Sequence, residues 1–310
     1  MGISSQEKPS SRSWARLIEA ITGVTFVLPA AFIITLCLIL PMIVALGLSM
    51  TQCTRILNVE WVGVDNYIRV FTDPNAVKAL GVTLLYAAMF VPGTVCVALL
   101  VAVILNRQFF GMKVIRSIYF VPVAVSAVVT VSIFRFIFDK DIGPINALLT
   151  TLELDFSDVS WIGSEKIPWL HKAPFALIAI VTMTLWKSTA FFSIIILAAL
   201  QDVSKELYEA AEVDGAGPIQ KFFNVTVPSI RGVLVTVMML SAIQAFRVFE
   251  PMFVLTEGGP QNSTRTIALL AYDAAFRDGE IGYANAIAFT LLAIILVVTL
   301  VLRRLTGERD

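Results

Sequence analysis

Residues 201–231 read QDVSKELYEAAEVDGAGPIQKFFNVTVPSIR, a polar stretch set between two long apolar runs. Its first half reads as a short helix. Ser204 is placed to cap the helix start, and Glu206 sits where the positive end of the helix dipole favours a carboxylate. Leu207, Ala210 and Ala211 recur at i, i+3 and i+4 and share one face. The alanines leave that face shallow enough for another backbone to approach closely. Gly215 then supplies a residue able to take positive φ, turning the chain through a sharp corner. Pro218 suits the first turn of a second short helix. Phe222, Phe223, Val225 and Val227 give that helix an adhesive side, and Pro228 is expected to break it before the next apolar run.

Outward from this stretch the sequence is apolar. No charge occurs from residue 20 to 54 or from 79 to 106, and further apolar runs cover 117–138, 173–200, 232–256 and 281–302. A bilayer core about 30 Å thick is crossed by about 20 helical residues, so these runs predict six spans. The chain has 310 residues, 57% hydrophobic and only 15% charged, with a mean hydropathy of +0.83. Soluble domains carry about a quarter charged residues. The alternation of an outer-membrane barrel is missing. The first run is longer than a signal-peptide core and shows no convincing cleavage site, so it is read as retained. Net charge is zero, from 23 basic and 23 acidic residues, which excludes a nucleic-acid footprint. Three scattered cysteines (Cys37, Cys53, Cys96) and one histidine (His171) fit neither a disulfide framework nor a metal centre. With the N-terminus inside, segments 1–19, 107–116, 201–231 and 303–310 hold twelve basic residues, against eight in 55–78, 139–172 and 257–280. The positive-inside rule therefore expects both termini in the cytoplasm. The expected organisation is a polar, loosely ordered tail (1–19), one membrane domain (20–302, with the loop 201–231) and a short tail (303–310). Pro144, Trp161, Gly163, Pro168 and Trp169 suggest a short external cap within 139–172.

The spacing within 201–231 adds a resemblance. Glu209-Ala210-Ala211, three residues, Gly215, nine residues, then Val225-x-Val227-Pro228 resembles the EAA loop of ABC importer permeases, with valines where the usual pattern has Ile and Leu. Trp61-Val-Gly-Val-Asp65-Asn66-Tyr67 is similar to a segment common in that family, and Val254-Leu-Thr-Glu-Gly258-Gly259-Pro260 resembles the turn of its maltose-type "F" members. The resemblance covers residues 20–302 and implies an all-α, six-helix permease of the type I importer fold, in the compact form common among sugar permeases. It implies that the loop seats in a cytoplasmic ATPase subunit, with Glu209, Ala210, Ala211, Asp214, Gly215 and Pro228 as the coupling residues. It further implies a homologous second permease, two copies of the ATPase carrying the ATP and Mg, and an extracytoplasmic solute-binding protein, all in a bacterial plasma membrane. The chain has no GxxxxGK[ST] phosphate loop, so it binds no cofactor of its own and is expected to be no enzyme.

Charges within spans are costly and need a reason. Arg135 lies eighteen residues into the third run, about 27 Å along a straight helix, and is expected to reach the outer surface. Arg247 and Glu250 are three apart in the fifth run and are expected to share a helix face as a neutralising pair or an outer gate. Lys187, beside Trp186, falls near the middle of the fourth run, where a sugar hydroxyl, an anionic group or a backbone carbonyl would each answer it. Ser241, Gln244, Ala245 and Val248 recur at three and four residues, one face of span five. By the resemblance, these positions, with Lys187, Ser188 and Phe191 in span four and Val123 and Ala127 in span three, correspond to those lining a maltose-type sugar path. Residues 246–250, FRVFE, resemble trehalose-type permeases, so trehalose or maltose is the expected cargo, with glycerol 3-phosphate or an amino sugar as alternatives. A secondary carrier would need acidic groups in mid-span, and a membrane enzyme would need motifs such as HExxH or GxSxG; the sequence offers neither.

Overall fold

A computed structural model of the chain describes residues 10–54, 58–152, 161–162 and 175–306. Gly163, Pro168, Trp169 and His171 of the expected cap region, residues 1–9 of the expected tail and residues 307–310 lie outside the described residues. The first span comprises α1 (Ser10–Ile34), a π-helical segment (Thr35–Ile39) and α2 (Leu40–Ser49). It starts in a helix at Ser10, within the stretch expected to be loose. It also ends earlier than the charge-free run. Thr51–Thr54 is instead strand β1, antiparallel to β2 (Asn58–Trp61) with Thr51 opposite Trp61. A hairpin this short gave no periodic signal.

The segment after the hairpin closes the top of span one. Gly63 takes φ +61° and turns the chain into α3 (Asp65–Thr72). Asn66 Nδ2 then donates to Ser49 O at 3.0 Å and Thr51 O at 2.9 Å, and the Tyr67 hydroxyl meets Ser49 Oγ at 2.7 Å. A helix end leaves carbonyls without partners, and this asparagine supplies one from the next element. The second span, α4 (Pro74–Leu105), is capped by Asp73, whose carboxylate accepts from Asn75 N.

The third span is not one straight helix. α5 (Met112–Tyr119) and α6 (Val121–Ala124) meet α7 (Ala127–Ile137) at a bend of 101°. The straight distance expected for Arg135 therefore does not apply; it sits exposed in the last turn of the short outer half. Beyond the third span, α8 (Pro144–Thr151) begins on Pro144, and Trp161 Nε1 donates to Asn146 Oδ1 at 2.6 Å while its ring meets Phe138 and Phe175. Span four is the unbroken α9 (Phe175–Asp202). The loop follows as α10 (Lys205–Val213), α11 (Pro218–Lys221), a π-helical run (Phe222–Thr226) and α12 (Val227–Ser229). Span five is α13 (Arg231–Phe246) followed after a break by α14 (Glu250–Thr256). α15 (Ile267–Tyr272) and a π-helical segment (Asp273–Arg277) lead to span six, α16 (Ile281–Thr306). Among the described residues four helices are long and apolar enough to cross a membrane, and up to six spans result if each of two bent pairs, Met112–Ala124 with Ala127–Ile137 and Pro218–Ser229 with Arg231–Phe246, is one span.

Lipid tails offer no hydrophobic drive between helices, so small residues that allow close approach hold them together. Along α4, Ala76, Ala79, Ala98 and Ala102 are buried, as are Ala176, Ala179 and Ala190 along α9, its main partner. The described side chains of α1 are exposed, an apolar surface on the outside of the bundle. Span six is fixed against the hairpin. A Cβ on Gly282 would stand 1.9 Å from Thr51 O, whereas one on Gly23 meets nothing within 4 Å. Gly282→Ala is expected to lower unfolding stability in micelles by about 1–3 kcal/mol, the usual cost of overpacking, and Gly23→Ala to leave it unchanged; a thermal unfolding series on the two variants checks both.

Candidate functional site

Two places bring the sequence candidates together: an elbow at one end of the bundle and a cavity within it. The elbow is built by caps. Ser204 Oγ accepts from Glu206 N at 3.2 Å to start α10. At its end Gly215 takes φ +78°, Ala216 N donates to Ala211 O at 2.9 Å and Gly215 N to Glu212 O at 3.0 Å. That crossed pair is a Schellman closure, which needs a left-handed residue at Gly215. Asp214 is the last residue before the corner. Gly217 N donates to Gln220 Oε1 at 2.9 Å, and Pro218 opens α11.

Two contacts brace the corner that no periodicity announced. Lys221 Nζ lies 2.8 Å from Glu212 Oε2 across the turn, and the Tyr208 hydroxyl meets Thr226 Oγ1 at 3.0 Å. The Lys221 ammonium holds the Glu212 carboxyl below the usual carboxylate range. With its folded value lowered, the ion pair is present at neutral pH and is lost only as pH falls through that lowered value. Leu207 and Ala210, expected with Ala211 on one face, lie exposed on the surface, as do Glu209 and Val213, the last 89% exposed, while Ala211 is half-buried.

Pro228 does not end the second helix as expected. The chain passes it and bends by 71° only at Ile230, between α12 and α13. A proline in a helix clashes with the carbonyl one turn earlier. Here the preceding turn is widened into the π-helical run Phe222–Thr226, which ends two residues before Pro228. The same offset recurs in span one, where Thr35–Ile39 precedes Pro41.

The cavity, about 670 Å³, lies between spans two to five. Ala127, Lys187, Ser188, Phe191, Gln244 and Val248 line it, as do Arg247 and Glu250. Val123, Ser241 and Ala245 do not. Val123 lies exposed on the far side of the span-three break, Ser241 is buried with its hydroxyl on Met238 O at 2.9 Å, and Ala245 is fully buried in the core. The cavity arc of α13 is instead centred on Leu240, Ile243 and Gln244. Ser241 is turned about 100° from Leu240, toward the neighbouring helices. Tyr86 and Phe90, stacked at 5.4 Å one turn apart on span two, and Thr184, which accepts from the Tyr86 hydroxyl at 3.0 Å, were not among the candidates. Their i, i+4 aromatic spacing was the available signal.

The expected Arg247–Glu250 pairing on one helix face is absent because the helix stops between them. Arg247 ends α13, Phe249 takes φ −132°, and α14 starts at Glu250. Both residues face the cavity without forming an ion pair with each other.

Lys187 also finds its partner. Val125 is extended at the span-three break, with ψ 132°, and Ser126 restarts the helix. The Val125 carbonyl is thereby released from helical bonding, and Lys187 Nζ donates to it at 2.9 Å. The span-five break is treated alike: Thr266 Oγ1, fully buried, donates to Val248 O at 3.0 Å. Trp186, next to Lys187, packs on Phe134 of α7 with ring centroids 5.5 Å apart.

Residues 94–307 match the family described as binding-protein-dependent transport system inner membrane component, and the chain belongs to that family. It is a multi-pass membrane permease of the sugar ABC importers, not an enzyme. A trehalose/maltose transport system permease protein of Thermococcus litoralis is 31% identical over 284 residues, covering 91% of this chain and 92% of that one. A sulfoquinovosyl glycerol transport system permease protein of Agrobacterium fabrum is 29% identical over 310 residues, covering 99% and 97%. A chain of a bacterial alginate ABC transporter, crystallised with an alginate pentasaccharide-bound periplasmic protein, superposes with a TM-score of 0.81 at 21% identity, covering 96% of this chain and 100% of that one. The type I importer permease fold is therefore the fold of this chain.

Removing either side-chain donor leaves a carbonyl unanswered away from water, at a cost of about 1–3 kcal/mol. Lys187→Met and Thr266→Val should each lower unfolding stability in micelles by that amount. Ser132→Ala, which removes an exposed hydroxyl bonded only to its own helix, should not. Thermal or denaturant unfolding followed by tryptophan fluorescence distinguishes the three.

Proposed function

We propose that this chain forms half of the translocation path of an ATP-driven sugar importer and takes its driving force through the elbow 201–231. The observation carrying this is the elbow's construction. It is closed by Ser204 at one end and Gly215 at the corner and braced by Glu212–Lys221, yet Leu207 and Ala210 of its shallow face are exposed and Ala211 only half-buried. A rigid, exposed corner with a shallow face is what a second protein needs to grip. Ala210 and Ala211 are assigned the close packing, Glu209 and Asp214 the polar contacts, Gly215 the corner, and Pro228 the stiff exit toward span five.

The partners in this reading are two copies of a cytoplasmic ATPase holding ATP and Mg, a homologous second permease completing the path, and an extracytoplasmic binding protein. The excess of basic residues on the elbow side argues for cytoplasmic termini in a bacterial plasma membrane. The cargo is proposed to be an uncharged disaccharide, trehalose or maltose. Two features support this: the similarity to the trehalose/maltose permease of Thermococcus litoralis and the cavity's charge. Lys187 is occupied by a backbone carbonyl, and Arg247 and Glu250 oppose each other in sign. The aromatic rings of Tyr86, Phe90 and Phe191 and the polar tips of Ser188 and Gln244 give the apolar walls and hydrogen bonds that a small-molecule site requires.

Gly215→Asp and Glu209→Lys should abolish ATP-driven sugar uptake while the protein still reaches the membrane at wild-type abundance. Uptake of labelled trehalose into reconstituted vesicles, with abundance measured in parallel, is the assay. Undiminished transport in both variants would overturn the coupling role.

A further inference from the structure

We propose that a second cavity, between residues 106–116 and the start of α10, binds the phosphate headgroup of an anionic phospholipid. It encloses about 1060 Å³ where α4 ends at Leu105 and α9 approaches its end at Leu200. Four cations line it: Arg107, Lys113, Arg116 and Lys205. Among the described residues no carboxylate does. Arg116 gives Nε (3.0 Å) and Nη2 (2.6 Å) to Leu105 O, an uncapped carbonyl at the helix end, and its Nη1 has no partner among the described residues. The side-chain cations of Arg107, Lys113 and Lys205 form no hydrogen bond or ion pair with described residues. Like charges gathered without a counter-charge repel one another, and an anion between them relieves that repulsion.

The surroundings favour a lipid as the source of that anion. Phe109 and Phe110 stand between Arg107 and Gly111, and Phe110 is 104% exposed. On α5, Val114, Ile115 and Ile118 are exposed on one arc while Met112 is buried and Arg116 reaches back to Leu105. Exposed aromatic and aliphatic groups beside unpaired cations, at the level where two spans leave the hydrocarbon, match acyl chains below a phosphate. Basic pockets between spans on the cytoplasmic side bind anionic headgroups by this chemistry. The cavity also includes Tyr208, on the helix that carries Glu209, Ala210 and Ala211. A lipid held there would steady the elbow from its membrane side. The assignment rests on the orientation proposed above, which puts this end in the cytoplasmic leaflet.

The test is native mass spectrometry of the purified chain in micelles, with phosphatidylglycerol or phosphatidylcholine added at equal concentration. The wild type should retain phosphatidylglycerol at least about fivefold more than phosphatidylcholine, the ratio that one basic side chain near an anionic surface supplies. The variant Arg107→Gln/Lys113→Gln/Lys205→Gln, which alters only exposed side chains, should lose the preference. Phe110→Ser should lower retention of both lipids. Equal retention of the two lipids by the wild type would overturn the site, as would an unchanged preference in the triple variant. Soluble glycerol 3-phosphate displacing the lipid at equal concentration would assign the cavity to a free phosphate compound instead. The wild-type arms need no variant to fold. Neither sugar nor ATPase is present, so a negative result leaves the importer reading standing, and failed coupling leaves this one standing.

Discussion

A peptide carbonyl released from a helix inside hydrocarbon finds no water and must be answered by the protein. Two such carbonyls mark the helix breaks, Val125 O in span three and Val248 O in span five; each is met by one side chain, Lys187 or Thr266, and Lys187 and Val248 line the central cavity. The cavity depends on these two bonds. Six straight spans would pack as rods with only shallow grooves between them. The bend of 101° in span three and the stop at Phe246 in span five turn two walls outward and leave about 670 Å³ between them. An unanswered break would tend to re-form helix and close that space. A lysine near the middle of a span, costly on its own, is thus placed where its positive charge meets a carbonyl dipole.

The same breaks define which parts can move as rigid bodies. α13 has sixteen residues, a rod of about 24 Å, with the bend at Ile230 at one end and the break beside Arg247 at the other. Gln244 and the cavity arc lie near the second end; the elbow joins the first through the π-helical run and Pro228. In the coupling role proposed, force on the elbow passes along α13 and emerges at the cavity wall without a flexible segment between. The Tyr208–Thr226 contact and the Glu212–Lys221 pair keep the two short helices of the elbow from folding independently. Neither bond touches a cargo, yet both belong to the path by which force arrives.

The elbow was largely legible in the sequence because its signals are local. Ser204, Gly215 and Pro218 each specify a backbone conformation within a few residues, and each appears where that rule puts it. The spans were legible as apolar runs for the same reason. The breaks were not. Arg135 and the Arg247–Glu250 pair were read on straight helices, because whether a helix bends at Val125 or Phe246 depends on donors 62 and 18 residues away. A long-range partner leaves no mark on local periodicity. Ser241 and Ala245 failed for a related reason: four positions at three- and four-residue spacing define an arc about 100° wide, and sequence alone does not say which side of it faces the cavity. The hairpin Thr51–Thr54 with Asn58–Trp61 was hidden by its brevity, and the Asn66 bonds that tie it to span one are again long-range.

The surfaces left open by this chain differ in chemistry, and that difference separates what can cover them. From residue 21 on, α1 carries no charge and is largely apolar around its circumference, as lipid or another span requires. The elbow combines a shallow Leu207–Ala210–Ala211 face with Glu206, Glu209, Glu212 and Asp214, all exposed. An acidic rim repels an anionic leaflet, so lipid is a poor cover for this face; a protein cleft with basic edges is a good one. Across the same helix start, Lys205 turns toward a cavity with Arg107 and Lys113 and no acid. A segment of nine residues, Lys205–Val213, thus presents acid to one neighbour and base to another. In the two roles proposed above, lipid takes the basic side and a protein partner the acidic side, and this sorting of charge is what separates the two surfaces.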